Sequence, residues 1–142
     1  MTLTGDAEMK IYSAVVSQVV PVGFADLAQA ADKLPGMEMT GGRARLRVHD
    51  RVGTGLAGAV RFGGTLRTAS PLLPSVKVEL VVSPWSAGRS EVAIHPITNL
   101  GPLDSMRSNR FFESAPSVLA AAIGRLYEQL PVEVPAAVEL AA

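Results

Sequence analysis

The chain contains no cysteine. Disulfides, thiol catalysis and cysteine-ligated zinc or iron–sulfur centres are therefore excluded. Histidine is scarce too, with two residues in 142, too few for a histidine-rich metal centre. Aromatic residues make up 5% and charged residues 18% of the chain. Neither sign of charge prevails, because 13 basic side chains meet 13 acidic ones. An obligate nucleic-acid binder normally carries a basic surplus, so no nucleic-acid partner is expected. Long apolar runs are missing as well. The stretch 14–20 is interrupted by Ser17 and Gln18 and lies far from any basic leader, unlike a signal peptide. No segment reaches the roughly 18 apolar residues that a membrane span needs. The expectation is a cytoplasmic protein with no metal and no cofactor. Arginine's excess over lysine reads as genome composition.

What is present is apolar bulk. Hydrophobic residues make up 48% of the sequence, which argues against disorder of the whole chain. A length of 142 residues matches one ordinary domain. Such a domain hides about two-thirds of its unfolded surface and folds without a metal or disulfide. Residues 1–8 are small and polar and read as a frayed start, residues 9–130 as a single domain, and 131–142, with two prolines and two glutamates, as a loose tail.

The periodicity changes along the chain. Residues 9–20, MKIYSAVVSQVV, are rich in β-formers without Gly or Pro and predict a strand, with Ile11, Ser13, Val15, Ser17 and Val19 on one face. From Pro21 the period is helical. Phe24, Leu27, Ala28, Ala31 and Leu34 share a face, and Pro35-Gly36 ends the helix. Residues 44–48 alternate, with Ala44, Leu46 and Val48 opposite Arg43, Arg45, Arg47 and His49. Asp50, Arg51 and Gly53 read as a turn, 56–62 as a second strand, Gly63-Gly64 as a bend or hairpin turn, and 65–69 as a third strand. Residues 76–82 form the clearest strand, joined by a turn near 86–89 to an antiparallel partner at 91–97. Val78, Leu80, Val92 and Ile94 are expected inward, Arg89 and Glu91 exposed. The last element reads as a helix over 114–130, with Ser114 as N-cap, Pro116 in the first turn and Pro131 as the stop. Phe112, Ala115, Leu119, Ile123, Leu126 and Leu130 make its apolar stripe, while Ser117, Ala121, Arg125 and Glu128 face away.

A strand, a short helix, several antiparallel strands and a long terminal helix predict an α+β layer. The terminal helix packs on the apolar face of a curved antiparallel sheet. In this order and length the chain resembles the helix-grip fold of the START/Bet v 1-like (SRPBCC) superfamily. The likeness rests on MKIYSAVVSQVVPVGFADLAQAADKLPG, on VKVELVVSPW with RSEVAIHPI, and on NRFFESAPSVLAAAIGRLYEQL, about half the chain. The segment after the first helix is shorter than the family's, and none of these motifs is catalytic. The resemblance implies a cavity between sheet and helix for a small hydrophobic or amphipathic molecule. Some members of the superfamily are cyclases, dehydratases or hydrolases, and many bind lipids or aromatic compounds.

No catalytic residue can be nominated from the pattern. Gly-x-Ser-x-Gly elbows and phosphate-binding loops are missing. Counting by twos puts His95 on the outer face of its strand, where a solvent-facing histidine is the plainer reading than a catalytic base. His49 and Asp50 are adjacent and point apart, so Asp50 is read as a turn former. Arg43, Arg45, Arg47, Arg61 and Arg67 form a ladder suited to carboxylate or phosphate. A solvated face paired across strands with Glu79 and Glu91 is the simpler expectation. Basic residues concentrate in 43–110, which holds nine arginines and Lys77 against Asp50, Glu79, Glu91 and Asp104. Phe62, Trp85, Phe112 and Tyr127 are the candidate ligand-binding walls, drawn from separated parts of the chain. The expected function is binding of a small hydrophobic molecule. The alternatives are a polyketide cyclase- or dehydratase-like enzyme of the same fold, or a ligand-free homodimeric interaction protein.

Overall fold

The computed structural model describes residues 15–54, 58–68, 75–97 and 105–130. The expected frayed start, the first residues of the expected opening strand and the expected tail lie outside the described residues. Among the described residues, six strands and two helices follow one another: β1 (Val16–Val20), α1 (Phe24–Ala31), β2 (Glu38–Gly41), β3 (Ala44–Thr54), β4 (Val60–Thr68), β5 (Val76–Ser86), β6 (Arg89–Pro96) and α2 (Ser105–Glu128). All strand pairs are antiparallel, in the order β1-β6-β5-β4-β3-β2. The architecture is the α+β one expected, a curled half-barrel sheet with a short helix and a C-terminal helix.

The period of two decides which side chains meet the helices. Leu46, Val48, Phe62, Leu66, Val78, Leu80, Val82, Val92 and Ile94 are buried on the concave side. They pack with Leu27, Ala30 and Ala31 of α1 and with Ala115, Val118, Leu119, Ala122, Ile123 and Leu126 of α2 in one core. On β1, Val16 and Val20 turn inward, and Val15, Ser17 and Val19 are exposed on the expected face. Arg89 is exposed as expected, whereas Glu91, opposite Val19 and Ser83 in register, is half-buried.

Three expectations about element boundaries are corrected. Gly63 and Gly64 are not a turn but the middle of β4, which joins the two strands expected on either side of them. A Cβ on Gly64 would sit 3.0 Å from Leu46 Cδ1 and 3.2 Å from Arg47 O, so glycine there reflects the close approach of neighbouring strands. Asp50, Arg51 and Gly53 do not end β3 either. Arg51 pairs with Phe62 and Gly53 with Arg61, while the register with β4 shifts between Val48 and Arg51 and again between Arg51 and Gly53, so the extra residues, His49, Asp50 and Val52, are absorbed as bulges. Finally, α2 starts at Ser105, and Ser114 and Pro116 lie inside it rather than at its N-terminus. Proline in a helix interior removes a backbone donor, and the buried face from Ala115 to Leu126 holds the helix across it.

β2 was not anticipated. Its four residues alternate, with Met39 and Gly41 buried and Glu38 and Thr40 exposed. Gly42, at φ +60, and Arg43 turn it into β3. α2 lies directly on this strand. A Cβ on Gly41 would overlap the Ser117 carbonyl group and stand 2.6 Å from the Val118 nitrogen. Upstream, α1 opens at Gly23 without a side-chain cap, so Pro21 precedes the helix and is not in its first turn. The link to β2 is tied to β3 by Gly36 N–H on Val48 O at 2.8 Å and Val48 N–H on Met37 O at 2.9 Å.

Candidate functional site

Two places can carry chemistry, the interior beneath the helices and the outer face of the sheet. The buried part of the interior is apolar. Among the described residues, the buried polar or charged side chains are Glu79 and Ser90. Ser90 points inward, and its hydroxyl donates to Val22 O at 2.7 Å, which ties β6 to the chain just after β1. Tyr127, on α2, is half-buried against the core. That partial burial disfavours the phenolate and pushes its pKa up, so the side chain is a neutral donor or acceptor at ordinary pH.

Glu79 faces the other way. It stands on β5 between Gly63 of β4 and His95 of β6. Arg61 donates to it from Nε and Nη2, both at 2.8 Å, in a two-pronged pair. His95 Nε2 lies 3.3 Å from Glu79 Oε1, and His95 Nδ1 lies 3.1 Å from Pro96 O. Both ring nitrogens thus face acceptors. The hydrogen bonds from Arg61 hold the Glu79 carboxyl below its ordinary range against the opposing effect of burial, helped by the charges of Arg61 and His95. Glu79 in turn raises the pKa of Arg61.

The site residues read from the sequence are dispersed. Phe62 is fully buried in the core, and Tyr127 is half-buried on α2. Trp85 is 58% exposed near the end of β5, close to the turn into β6. Phe112 lies in α2, but its side chain is outside the described residues. His95 is on the outer face, as the alternation predicted, though it contacts Glu79 rather than facing solvent alone. His49 does not pair with Asp50; its Nε2 lies 2.7 Å from Thr65 Oγ1. The expected cross-strand pairing of the arginine ladder holds for Arg61 with Glu79, while Arg45 meets Glu38 at 3.8 Å. The Arg61–Glu79–His95 group was not foreseen. Its one signal in the sequence is a glutamate at an outward position of the most apolar strand. Among the described residues, no three His, Asp or Glu side chains are grouped to hold a metal ion. No described helix is long and apolar enough to cross a membrane.

No family model matches the chain, and no curated protein matches it. Among solved structures, it is similar to protein CV1439 from Chromobacterium violaceum. That match has 14% identity and a TM-score of 0.34 and covers 76% of this chain and 94% of that one. A likeness at this level supports no statement about fold or function.

Proposed function

We propose that the chain is a binding module that holds a small hydrophobic or amphipathic molecule between the concave face of the sheet and α2. The observation that carries this reading is the division of chemistry between the two faces. The buried inward side chains described are apolar except Ser90, whose hydroxyl is committed to Val22. The one buried carboxylate among the described residues, with its arginine and histidine, lies on the outside. An apolar interior recognises a ligand by area and shape, with one or two polar groups to orient it. General acid–base catalysis needs a titratable group within hydrogen-bond reach of the substrate. Among the buried inward residues described there is no carboxylate, imidazole or cation, so the reading is binding rather than turnover. Tyr127 supplies the orienting hydroxyl, and Phe62 supplies aromatic wall. Trp85, mostly exposed, has no part in this version of the site.

The test combines native mass spectrometry of freshly purified protein with titration of a hydrophobic dye such as an aminonaphthalene sulfonate. A co-purified mass, or saturable dye binding by the folded protein, is expected. Tyr127→Phe should keep the fold and weaken a polar-headed ligand by about 0.5–1.5 kcal/mol, the worth of one hydrogen bond. A folded protein with neither bound mass nor saturable dye binding would sink the reading and put the interaction protein ahead.

A further inference from the structure

One end of the outer face carries cations without partners. Lys77 pairs in register with Thr65, Thr65 with Arg47, and Arg47 with Glu38, a row that crosses β5, β4, β3 and β2. Ile97 extends the row, its N–H donating to Lys77 O at 3.1 Å. In the next row Arg67 stands opposite Arg45, and Arg45 opposite Thr40. Arg43 occupies the turn between β2 and β3 at the same end of the sheet. All five cationic side chains are exposed. Glu38 reaches Arg45 at 3.8 Å, and Arg43, Arg47, Arg67 and Lys77 have no ion-pair partner among the described residues. Like charges directly opposite each other on neighbouring strands repel. The Arg45–Arg67 pair therefore leaves a positive field at this end that an overlying anion relieves.

The same end also exposes aliphatic surface. Ile97 is 51% and Val15 is 39% exposed. Val15 immediately precedes Val16, which pairs with Ile94, so the antiparallel register brings Val15 beside His95, two residues from Ile97. No described aromatic side chain lies in these rows. Trp85 is at the opposite end of β5, near the turn into β6, and Phe62 is in the core.

We propose that this end of the sheet docks on an anionic phospholipid bilayer. Arg43, Arg45, Arg47, Arg67 and Lys77 pair with headgroup phosphates, and Ile97 and Val15 enter the boundary between headgroups and acyl chains. The phosphates of a nucleic acid would use the same cations. Its backbone offers nothing to desolvate two aliphatic side chains, and the patch has no ring on which a base could stack. The docking is independent of what fills the interior and goes beyond that reading.

The experiment is flotation of the whole chain with phosphatidylcholine vesicles, with and without phosphatidylglycerol. Binding is expected only to the anionic vesicles and is lost in high salt, which shortens the screening length to a few ångströms. Arg47→Gln, Arg67→Gln and Lys77→Gln should each lower the affinity roughly fivefold, the equivalent of about 1 kcal/mol per cation near an anionic surface. Arg89→Gln, a cation at the opposite end of the sheet, should leave it unchanged. Each variant's thermal transition is compared with the parent to show that the fold is intact. Ile97→Ser should weaken binding at every salt concentration without changing the salt slope. The single tryptophan, Trp85, reports orientation, and its emission should not shift on binding. Equal binding to neutral vesicles, no binding to either, an equal loss with Arg89→Gln, or a blue shift of Trp85 would each overturn the proposal. So would an oligonucleotide that displaces the protein from vesicles and is itself weakened by Arg67→Gln.

Discussion

Glu79 shows how a single position departs from what its strand suggests. Alternation puts it on the solvent side of β5, yet its side chain is only 8% exposed. Arg61 and His95, brought from neighbouring strands, cover it and supply its hydrogen bonds. Its pKa is lowered on folding, so the carboxylate contributes stability that is present above the ordinary carboxylate value of about 4.3. That contribution is lost as pH falls from there through the lower folded value. Glu79→Gln is expected to cost about 1–3 kcal/mol at neutral pH, as for a hydrogen bond to a charged group. Arg61 is 36% exposed, and solvent screening moves the expectation toward the lower end. Urea melts at pH 7 and pH 3 check this. The difference between parent and variant should shrink at pH 3, and an unchanged difference would mean that packing, not charge, sets the cost. The outward placement of Glu79 and His95 was legible from a period of two. The cross-strand pairing of Arg61 with Glu79 was legible too, but the convergence of His95 on the same carboxylate was not, because it depends on the register of a third strand.

At the scale of elements, the meeting of β2 with α2 separates what composition shows from what packing decides. Gly41 is the contact point, where an added methyl group would overlap the backbone of Ser117 and Val118. Backbone on both sides leaves little freedom to relax. Gly41→Ala should therefore destabilise the fold by at least about 1–3 kcal/mol, the usual cost of overpacking. A thermal melt that shows no loss would mean that α2 is free to lift from β2. Pro116 tests the opposite sign. It is exposed within α2 and removes a backbone donor there. Pro116→Ala should stabilise by about 1–3 kcal/mol, up to the full helix-interior penalty of proline. A lower midpoint in denaturant would show that the helix relies on the backbone restriction that proline imposes. Reading Pro116 as a first-turn residue followed sound local chemistry. The helix nevertheless runs from Ser105, because apolar burial on one face outweighs a local penalty. The apolar stripe itself was legible, since Ala115, Leu119, Ile123, Leu126 and Leu130 are all buried as their spacing indicated.

Across the whole molecule, the order β1-β6-β5-β4-β3-β2 sets the first described strand beside the last. Val16 pairs with Ile94 and Val20 with Ser90, and the Ser90 hydroxyl reaches Val22. Removing residues 1–20 would strip β6 of its partner and open the core at Val92 and Ile94. The truncated chain should lose the cooperative thermal transition of the parent, followed by far-ultraviolet circular dichroism. A sharp transition in the truncated chain would show that five strands and the helices suffice. The spacing of apolar residues along the chain set the period of each clear strand, the inward side of β3, β5 and β6, and the buried stripe of α2. These follow from burying apolar side chains on one side of a repeating backbone, a local rule. Pairing between strands made Gly63 and Gly64 continue a strand, put Asp50 in a bulge and Arg51 opposite Phe62, and formed β2. It likewise decided that Arg61, Glu79 and His95 meet. Each of these depends on which residues of distant segments come opposite one another, and that register is set by the closing of the sheet around its helices.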